Sequence, residues 1–490
     1  MALRRELWSR GLRYRVDSAI RPDTGRPIRP DVVFQGPKVA VFLDGCFWHG
    51  CPEHGTQPRH NSDYWQEKIR RNVNRDERDR RRLRNAGWLV IRIWEHDNLS
   101  HAAERVAAAV RSRTVAVAGR FAASSSCPSG RAAAASLFSG LGGLDYAARI
   151  VGLNVVAATD RDQKALSLLR QALGTQTVGL DLETDDPERF MDWLPDDSDL
   201  QIIFGGPPCT AFSHAGFWLE GKRDGKDPAA VLLDRYIDIV RMVKPDAFVM
   251  ENVPGLAFRT HQRFFGRLIN RARRAGYKLS WSVLDASDFG VPQARRRLFV
   301  VGVRGKRHFQ FPKPSAARRD TRWALQDLAD RSDLSEPDEI PNGRWSNLLP
   351  QVPPGGNYLH FTSRYGCEPP IFRNRGRYWS FLLKLDPTQP APTLPAQRVT
   401  FNGPFHWENR HLRIREMARL QSFPDWMPLD TRLADARLHL GNAVPVALGA
   451  AVLWSVQRYL GNASSSDRPA LLGVLDDPSA SIHDVMAAIA

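Results

Sequence analysis

The 490-residue chain holds only five cysteines, an odd and sparse number for its length. A disulfide framework is therefore not expected; the thiols suit a reducing compartment, free for metal or catalysis. No apolar run approaches the roughly 20 residues that cross a bilayer. The opening MALRRELWSRGLRYR has neither the apolar stretch nor the cleavage site of a secretory leader. No membrane partner and a cytoplasmic location are expected. Acidic residues are also in short supply: 53 Asp and Glu face 69 Lys and Arg, a formal net charge of +16. Residues 1–113 alone hold 23 basic and 14 acidic side chains. A basic surface attracts polyanions, nucleic acid above all, although an Arg-rich composition can equally reflect genomic base usage.

What is present suits a soluble globular protein of two or three domains, with 42% hydrophobic and 25% charged residues. A small, polar stretch punctuated by Pro and Gly, TVAVAGRFAASSSCPSGRAAAA at 114–135, reads as a linker. Ahead of it the pattern predicts a helix at 2–10, strands VVF and KVAVFLD, a charged helix near 63–86 and a strand WLVIRIWE. Beyond it, ASLFSG runs from a strand into a glycine-rich turn. VVAATD, LQIIFGG, AFVMEN and RRLFVVG then alternate with helical stretches, which predicts parallel βαβ units in a doubly wound α/β sheet. Residues 304–385 lose the alternation and fill with Pro, Gly, Arg and aromatics, 413–460 is helix-rich, and 461–490 reads as a loose tail. No internal repeat is evident.

GGPPCTAFSHAG sets Cys209 on a proline-stiffened loop just past a strand, where α/β enzymes keep reactive groups. A lone cysteine is usually a buried small hydrophobe, so its companions matter. VMENVPGL ends a strand with Glu251 and Asn252, and VPQARRRLFVVG sets Gln293, Arg295 and Arg297 before another. SLFSGLGG is a turn that lets a cofactor approach the backbone; Asp160 could bond a ribose and Asp181 an adenine amino group. With IREMARLQSFPDW (414–426) and GNAVP (441–445), these motifs resemble in order the DNA cytosine C5-methyltransferases across roughly 133–460. The resemblance implies a Rossmann-like catalytic domain and S-adenosylmethionine as methyl donor, held by Phe138, Gly140, Gly142, Gly143, Asp160, Asp181, Pro208 and Asn442. Catalysis would fall to Cys209, Glu251, Arg295 and Arg297 acting on a cytosine flipped out of double-stranded DNA. Residues 304–410 take the target-recognition position, with Arg344, Trp345, Arg373, Arg375, Arg377 and Tyr378 as candidates for groove contacts. The domains expected are 1–113, a linker at 114–132, 133–303, the recognition region 304–410, closing catalytic helices at 411–460, and the tail.

At the front, FLDGCFWHGCPEH packs Cys46, Cys51, His49 and His54 into thirteen positions, with His96 after a later strand. Four nitrogen and sulfur donors suit tetrahedral zinc, though spacing alone leaves His49 and His54 interchangeable. RPDVVF, GCFWH and the helix YWQEKIRRNVNRDERDRRRLRNAGW together resemble the Vsr-type very-short-patch mismatch endonucleases, implying a small α/β, restriction-endonuclease-like domain. By that resemblance Asp31 is a magnesium ligand, His49 helps to activate water, and zinc sits on Cys46, Cys51, His54 and His96. Asp44 stands where the family has a catalytic histidine, and since a carboxylate can serve a magnesium site an altered activity is expected; the family's helical glutamate would fall upstream of Ala2. The first helix also starts with no capping residue before it. A longer native chain is expected, and the form given is expected to nick T·G duplexes poorly.

Three readings stay open: a methyltransferase joined to a nuclease that nicks the T·G mismatches left by 5-methylcytosine deamination, a methyltransferase with a zinc-bearing, non-cleaving DNA-binding appendage, and a methyltransferase joined to a restriction nuclease. The resemblance further implies a monomeric, nucleoid-associated bacterial enzyme with a cognate restriction endonuclease as a further partner.

Overall fold

The structure is a computed structural model. It describes the chain except residues 1, 11, 17, 22–25, 36, 50, 52–61, 87, 101, 108, 111–131, 195–199, 209–227, 306, 315–316, 330–340, 375–377, 397–400, 430–431, 465–467, 478 and 490. Chain contacts divide it into two compact units, Met1–Ser126 and Cys127–Ile489.

The front unit is built on four strands, β1 (Arg15–Val16), β2 (Val32–Phe34), β3 (Val39–Asp44) and β4 (Leu89–Trp94), side by side in that order. β1, β2 and β3 pair antiparallel, and β3 pairs parallel with β4 through the crossover helix Ser62–Asn85. Alternation sorts the side chains: Val39 and Val41 join Leu3, Leu7 and Ile93 on one face, while Ala40 and Val90 join Leu83 and Trp88 on the other. Both faces are covered, so the strands read as apolar runs.

The second unit carries a seven-stranded sheet of β5 (Ala133–Leu137), β6 (Asn154–Asp160), β7 (Thr177–Gly179), β8 (Leu200–Gly205), β9 (Ala247–Asn252), β10 (Lys278–Asp285) and β11 (Arg296–Val303), in the order β10-β11-β9-β8-β5-β6-β7. The five strands from β9 to β7 are parallel. The order reverses beside β5, so the loops after β5 and β8 part there and leave a crevice at their carboxyl ends.

Two features depart from the sequence reading. The alternation put RRLFVVG among parallel strands, but β11 runs antiparallel to β9 and forms a hairpin with β10, a strand the pattern did not single out. Only residues 286–295 join β10 to β11, too few for a parallel crossover. The expected loose tail is also ordered over two helices, Ala470–Asp476 and Ile482–Ile489. Leu471, Leu475, Ile482 and Val485 are buried in the same core cluster as β8, β9 and helix Val446–Leu460. The stretch Leu433–Leu460 has the length and apolar content of a membrane span, but 89% of its most apolar window is buried inside the unit, as in a core helix. The irregular region gathers a small aromatic core of its own from Leu348, Leu349, Tyr358, Phe361, Phe401 and Phe405.

Candidate functional site

The chain leaves β5 through a tight curl. Phe138, Gly140 and Gly142 all lie at positive φ, 53°, 51° and 85°, and the curl feeds helix Gly143–Ile150. A half-buried phenylalanine at positive φ is strained, and such strain collects at ligand sites. Gly143 is required by space: a Cβ there would lie 2.1 Å from the Val444 carbonyl oxygen. Asp160, the last residue of β6, is fastened to the curl. Its Oδ2 accepts from Gly140 N–H at 2.8 Å and its Oδ1 from Asp162 N–H at 2.9 Å. Burial pushes the Asp160 carboxyl above its ordinary value against those two donors. Beside it opens a cleft of about 540 Å³ lined by Arg161, Asp162, Gln163, Gly179, Asp181 and Asp185. Asp181 also caps its own turn, accepting from Glu183 N–H at 3.1 Å. A glycine-rich curl, a carboxylate beside it and a polar cleft fit a nucleoside-bearing cofactor.

β8 ends in Gly205, Gly206, Pro207 and Pro208; Cys209 lies outside the described residues. Asn252 Nδ2 donates to the Pro207 carbonyl at 3.0 Å, tying this loop to the end of β9. Next to Asn252, Glu251 is buried, and Arg297 Nε donates to its Oε1 at 2.8 Å. Burial raises the Glu251 carboxyl above its ordinary value in spite of Arg297 and Arg295 nearby. Gly206 permits this placement: a Cβ there would lie 2.8 Å from Glu251 Oε2.

The two arginines expected to share the chemistry have different surroundings. Arg295 is fully buried and donates to the carbonyls of Gly441 at 2.6 Å, Ala443 at 2.9 Å and Leu394 at 3.5 Å. It therefore fastens the GNAVP segment, in which Asn442 is exposed. The IREMARLQSFPDW motif is scaffolding of the same kind, with Glu416 held by Arg410 at 2.7 and 2.9 Å and Arg419 by Asp425 and Asp327. In the recognition region Arg344 stacks 4.5 Å from the Trp345 ring, and Arg373 and Tyr378 are exposed. Arg375 and Arg377 lie outside the described residues.

In the front unit, Cys46, Cys51 and His96 bring their ligand atoms within 4.8 Å of one another. Cys46 Sγ is 3.0 Å and Cys51 Sγ 3.9 Å from His96 Nδ1. His54, the fourth expected donor, lies outside the described residues. Two thiols and an imidazole are soft to borderline donors and fit zinc. The expected magnesium ligands sit less freely. Asp31 precedes β2, and its Oδ2 accepts from Leu43 N–H at 2.8 Å. Asp44 is buried, ion-paired to Arg92 and, at 3.7 Å, to Arg80. His49 Nδ1 lies 2.5 Å from Asp76 Oδ2, a bond that raises the imidazole above its ordinary value. Among the described residues neither Asp31 nor Asp44 belongs to a cluster of three or more metal-ligating groups. With Asp44 neutralised by two guanidinium groups, the residues do not fit magnesium in this arrangement.

Three features escaped the sequence reading. Gly206 is not singled out within GGPPCTAFSHAG, yet it makes room for Glu251. Asp145 is not singled out by any sequence pattern, yet it is fully buried. Phe47, Trp48, Tyr64 and Trp65 form a chain of edge-on rings 5.0–5.7 Å apart, with Lys68 Nζ 5.0 Å from the Trp65 ring and Trp48 and Tyr64 exposed. The adjacent pairs FW and YW were the available signal.

Known proteins match both parts. Residues 133–458 match the family model described as C-5 cytosine-specific DNA methylase, and residues 1–54 that of the DNA mismatch endonuclease Vsr. The Type II methyltransferase M.SacI of Streptomyces achromogenes is 40% identical over 364 residues, covering 66% of this chain and 93% of that protein. The Type II methyltransferase M.MthTI of Methanothermobacter thermautotrophicus is 34% identical over 345 residues, 66% of this chain and 97% of its own. The Type II nicking enzyme V.NaeI of Lentzea aerocolonigenes is 52% identical over 105 residues, 21% of this chain and 63% of that protein. With well over half of its length matched and its glycine curl, proline loop and Glu251–Arg297 pair on adjoining strand ends, the chain belongs to the C-5 cytosine-specific DNA methylase family and carries a Vsr-type domain ahead of it.

Proposed function

We propose that the second unit methylates C5 of a cytosine flipped out of double-stranded DNA, with Cys209 as nucleophile and Glu251 and Arg297 as the groups that activate the ring. The buried Glu251–Arg297 pair beside the proline loop carries this reading. Cytosine C6 is a poor electrophile, so thiolate addition needs charge withdrawn from the ring at the same moment. A carboxyl raised by burial keeps a proton to donate to N3, and Arg297 bonds the base oxygen as charge develops there. S-adenosylmethionine, the donor used by this family, supplies an electrophilic methyl group when bound in the cradle of Phe138, Gly140, Gly142, Gly143, Asp160, Asp181, Pro208 and Asn442. Loss of the C5 proton to a base then expels Cys209 and restores the ring. Arg295 is a positioning residue that holds the GNAVP segment. Duplexes containing 5-fluorocytosine should trap the protein covalently, and Cys209→Ser should bind DNA without trapping; normal methylation by that variant would refute the mechanism.

For the front unit we propose a zinc-stabilised DNA-binding domain on Cys46, Cys51, His54 and His96 that nicks beside T·G mismatches. Deamination of 5-methylcytosine leaves that mismatch, so the repair activity would act on lesions arising from the methyltransferase's own product. Exposed aromatics beside a basic helix suit insertion between base pairs. Asp31 and His49 are the residues left for hydrolysis, His49 holding a proton against Asp76. The Arg92 and Arg80 pairing with Asp44 favours a second reading, binding without cleavage. Cutting of a T·G duplex, of an unmodified duplex or of neither, with Asp31→Ala as control, separates nicking, restriction and binding alone. Methylation mapping of DNA from expressing cells identifies the sequence read, and whether a separate restriction endonuclease shares it.

A further inference from the structure

A carboxyl that takes no part in the chemistry above lies directly under the cofactor curl. Asp145, the third residue of helix Gly143–Ile150, is fully buried. Its Oδ2 accepts from Ser136 Oγ at 3.0 Å, and Ser136 Oγ accepts from Ser139 Oγ at 2.8 Å. Its Oδ1 has no hydrogen-bond partner among the described residues. The three groups run from the interior to half-buried Ser139, which sits in the curl between Phe138 and Gly140 with its backbone N–H bonded to the Thr159 carbonyl at 3.0 Å. An ionised carboxylate can only accept, which sets the direction of the line: Ser136 donates to Asp145 and Ser139 donates to Ser136. The lone pairs of Ser139 Oγ are then left for a donor arriving from outside, and negative charge behind them favours a cationic one.

We propose that Asp145, acting through Ser136 and Ser139, is a positioning residue for the α-ammonium group at the amino-acid end of the cofactor, and that it does so in its ionised form. This rests on the cofactor cradle proposed above. An ionised carboxylate is costly in the interior unless a cation compensates it. Burial, helped by the charge of Asp160, pushes the Asp145 carboxyl up to about 7. The neighbouring elements supply few other charges. β6 brings Asp160, β5 only the Ser136 hydroxyl, the helix itself Arg149 one turn further on, and the packed helix Val446–Leu460 nothing charged before Arg458. In the free protein the carboxyl is thus mostly protonated below neutrality, and a cation bound at Ser139 displaces that proton. Affinity therefore rises as pH rises toward and through this value, and binding at the acidic end releases a proton.

The test is calorimetric titration of the full chain with S-adenosylhomocysteine, which keeps the amino-acid end but lacks a methyl group to transfer. Binding should tighten about tenfold between about pH 6 and about pH 7.5, with net proton release near pH 6 seen in buffers of different ionisation enthalpy. Asp145→Asn should flatten the pH dependence and abolish the proton release. Ser136→Ala should do the same while leaving the carboxyl in place. Methylthioadenosine, which lacks the ammonium group, should bind wild type with one affinity across the range. If Asp145→Asn does not fold, the two ligands on wild type and the Ser136→Ala variant decide the question. Homocysteine-ligand binding that does not vary with pH, or an unchanged pH dependence in either variant, overturns the proposal. Methylthioadenosine binding with pH-invariant homocysteine-ligand binding leaves the cradle standing and removes only the relay, whereas failure of both ligands to bind overturns the cradle and the relay together.

Discussion

Gly206 acts through the side chain it lacks. A methyl group there would lie 2.8 Å from Glu251 Oε2, so Gly206→Ala must push the carboxylate aside. Misplacing a catalytic group by about 1 Å can cost on the order of 100-fold in rate. We expect Gly206→Ala to lower kcat by 10- to 100-fold with cofactor affinity unchanged, as single-turnover methylation beside calorimetry would measure; unchanged kcat would mean that Glu251 does not act at the base. Glu251 itself gives a pH signature. Its folded value is raised and the proposed reaction uses its protonated form, so the rate should fall as pH climbs through that raised value. In Glu251→Gln that alkaline limb should disappear along with most of the activity. Arg295 and Arg297 mark the limit of sequence reasoning at this scale. They are identical residues two apart, and what separates them is the pair of carbonyls at Gly441 and Ala443, nearly 150 positions further on.

Whole elements were more legible than single contacts. The apolar-rich stretches placed β5, β6, β8 and β9, because strands covered on both faces keep few polar residues outside their ends. Strand direction is a different matter, since the apolar LFVV of β11 reads like the parallel strands of the sheet and its short link to β10 is what reverses it. The closing helices were missed because polar and small residues surround them, while their burial depends on a surface formed far earlier in the chain. Leu475 packs over Gly290, where a Cβ would come within 2.7 Å of its side chain. Leu475→Ala should therefore destabilise the second unit by roughly 2–4 kcal/mol in denaturant unfolding. A true tail would show no change. In the front unit the Cys46, Cys51 and His96 turn is expected to fold around its metal. Purified protein should carry about one zinc per chain, and Cys51→Ala should lose it. Full zinc content in that variant would exclude Cys51 as a ligand.

The chain divides into two compact units, and only the front one is expected to hold zinc. A strong chelator should lower the melting temperature of the front unit and leave the transition of the second unit in place, so thermal unfolding should resolve two steps. A single step shifting as one would show that the units stabilise each other. The surplus of positive charge predicts DNA binding that weakens steeply with salt, as phosphate contacts release counterions. Composition pointed to a polyanionic partner, but it could not show that two different domains share one chain; the clustered thiols and the PPC loop pointed to that.

The packing of helix Val446–Leu460 against helix Gly143–Ile150 brings a late segment of the catalytic fold onto an early one, with the Val444 carbonyl oxygen against Gly143. Physical adjacency here does not follow linear order. If the coding sequence were cut at the end of the recognition region and the segment from 411 onward placed ahead of β5 with a joining peptide, every strand neighbour and every arginine–carbonyl tie could re-form. A chain rearranged in that way should therefore still fold and methylate, and expression of the rearranged gene would test it.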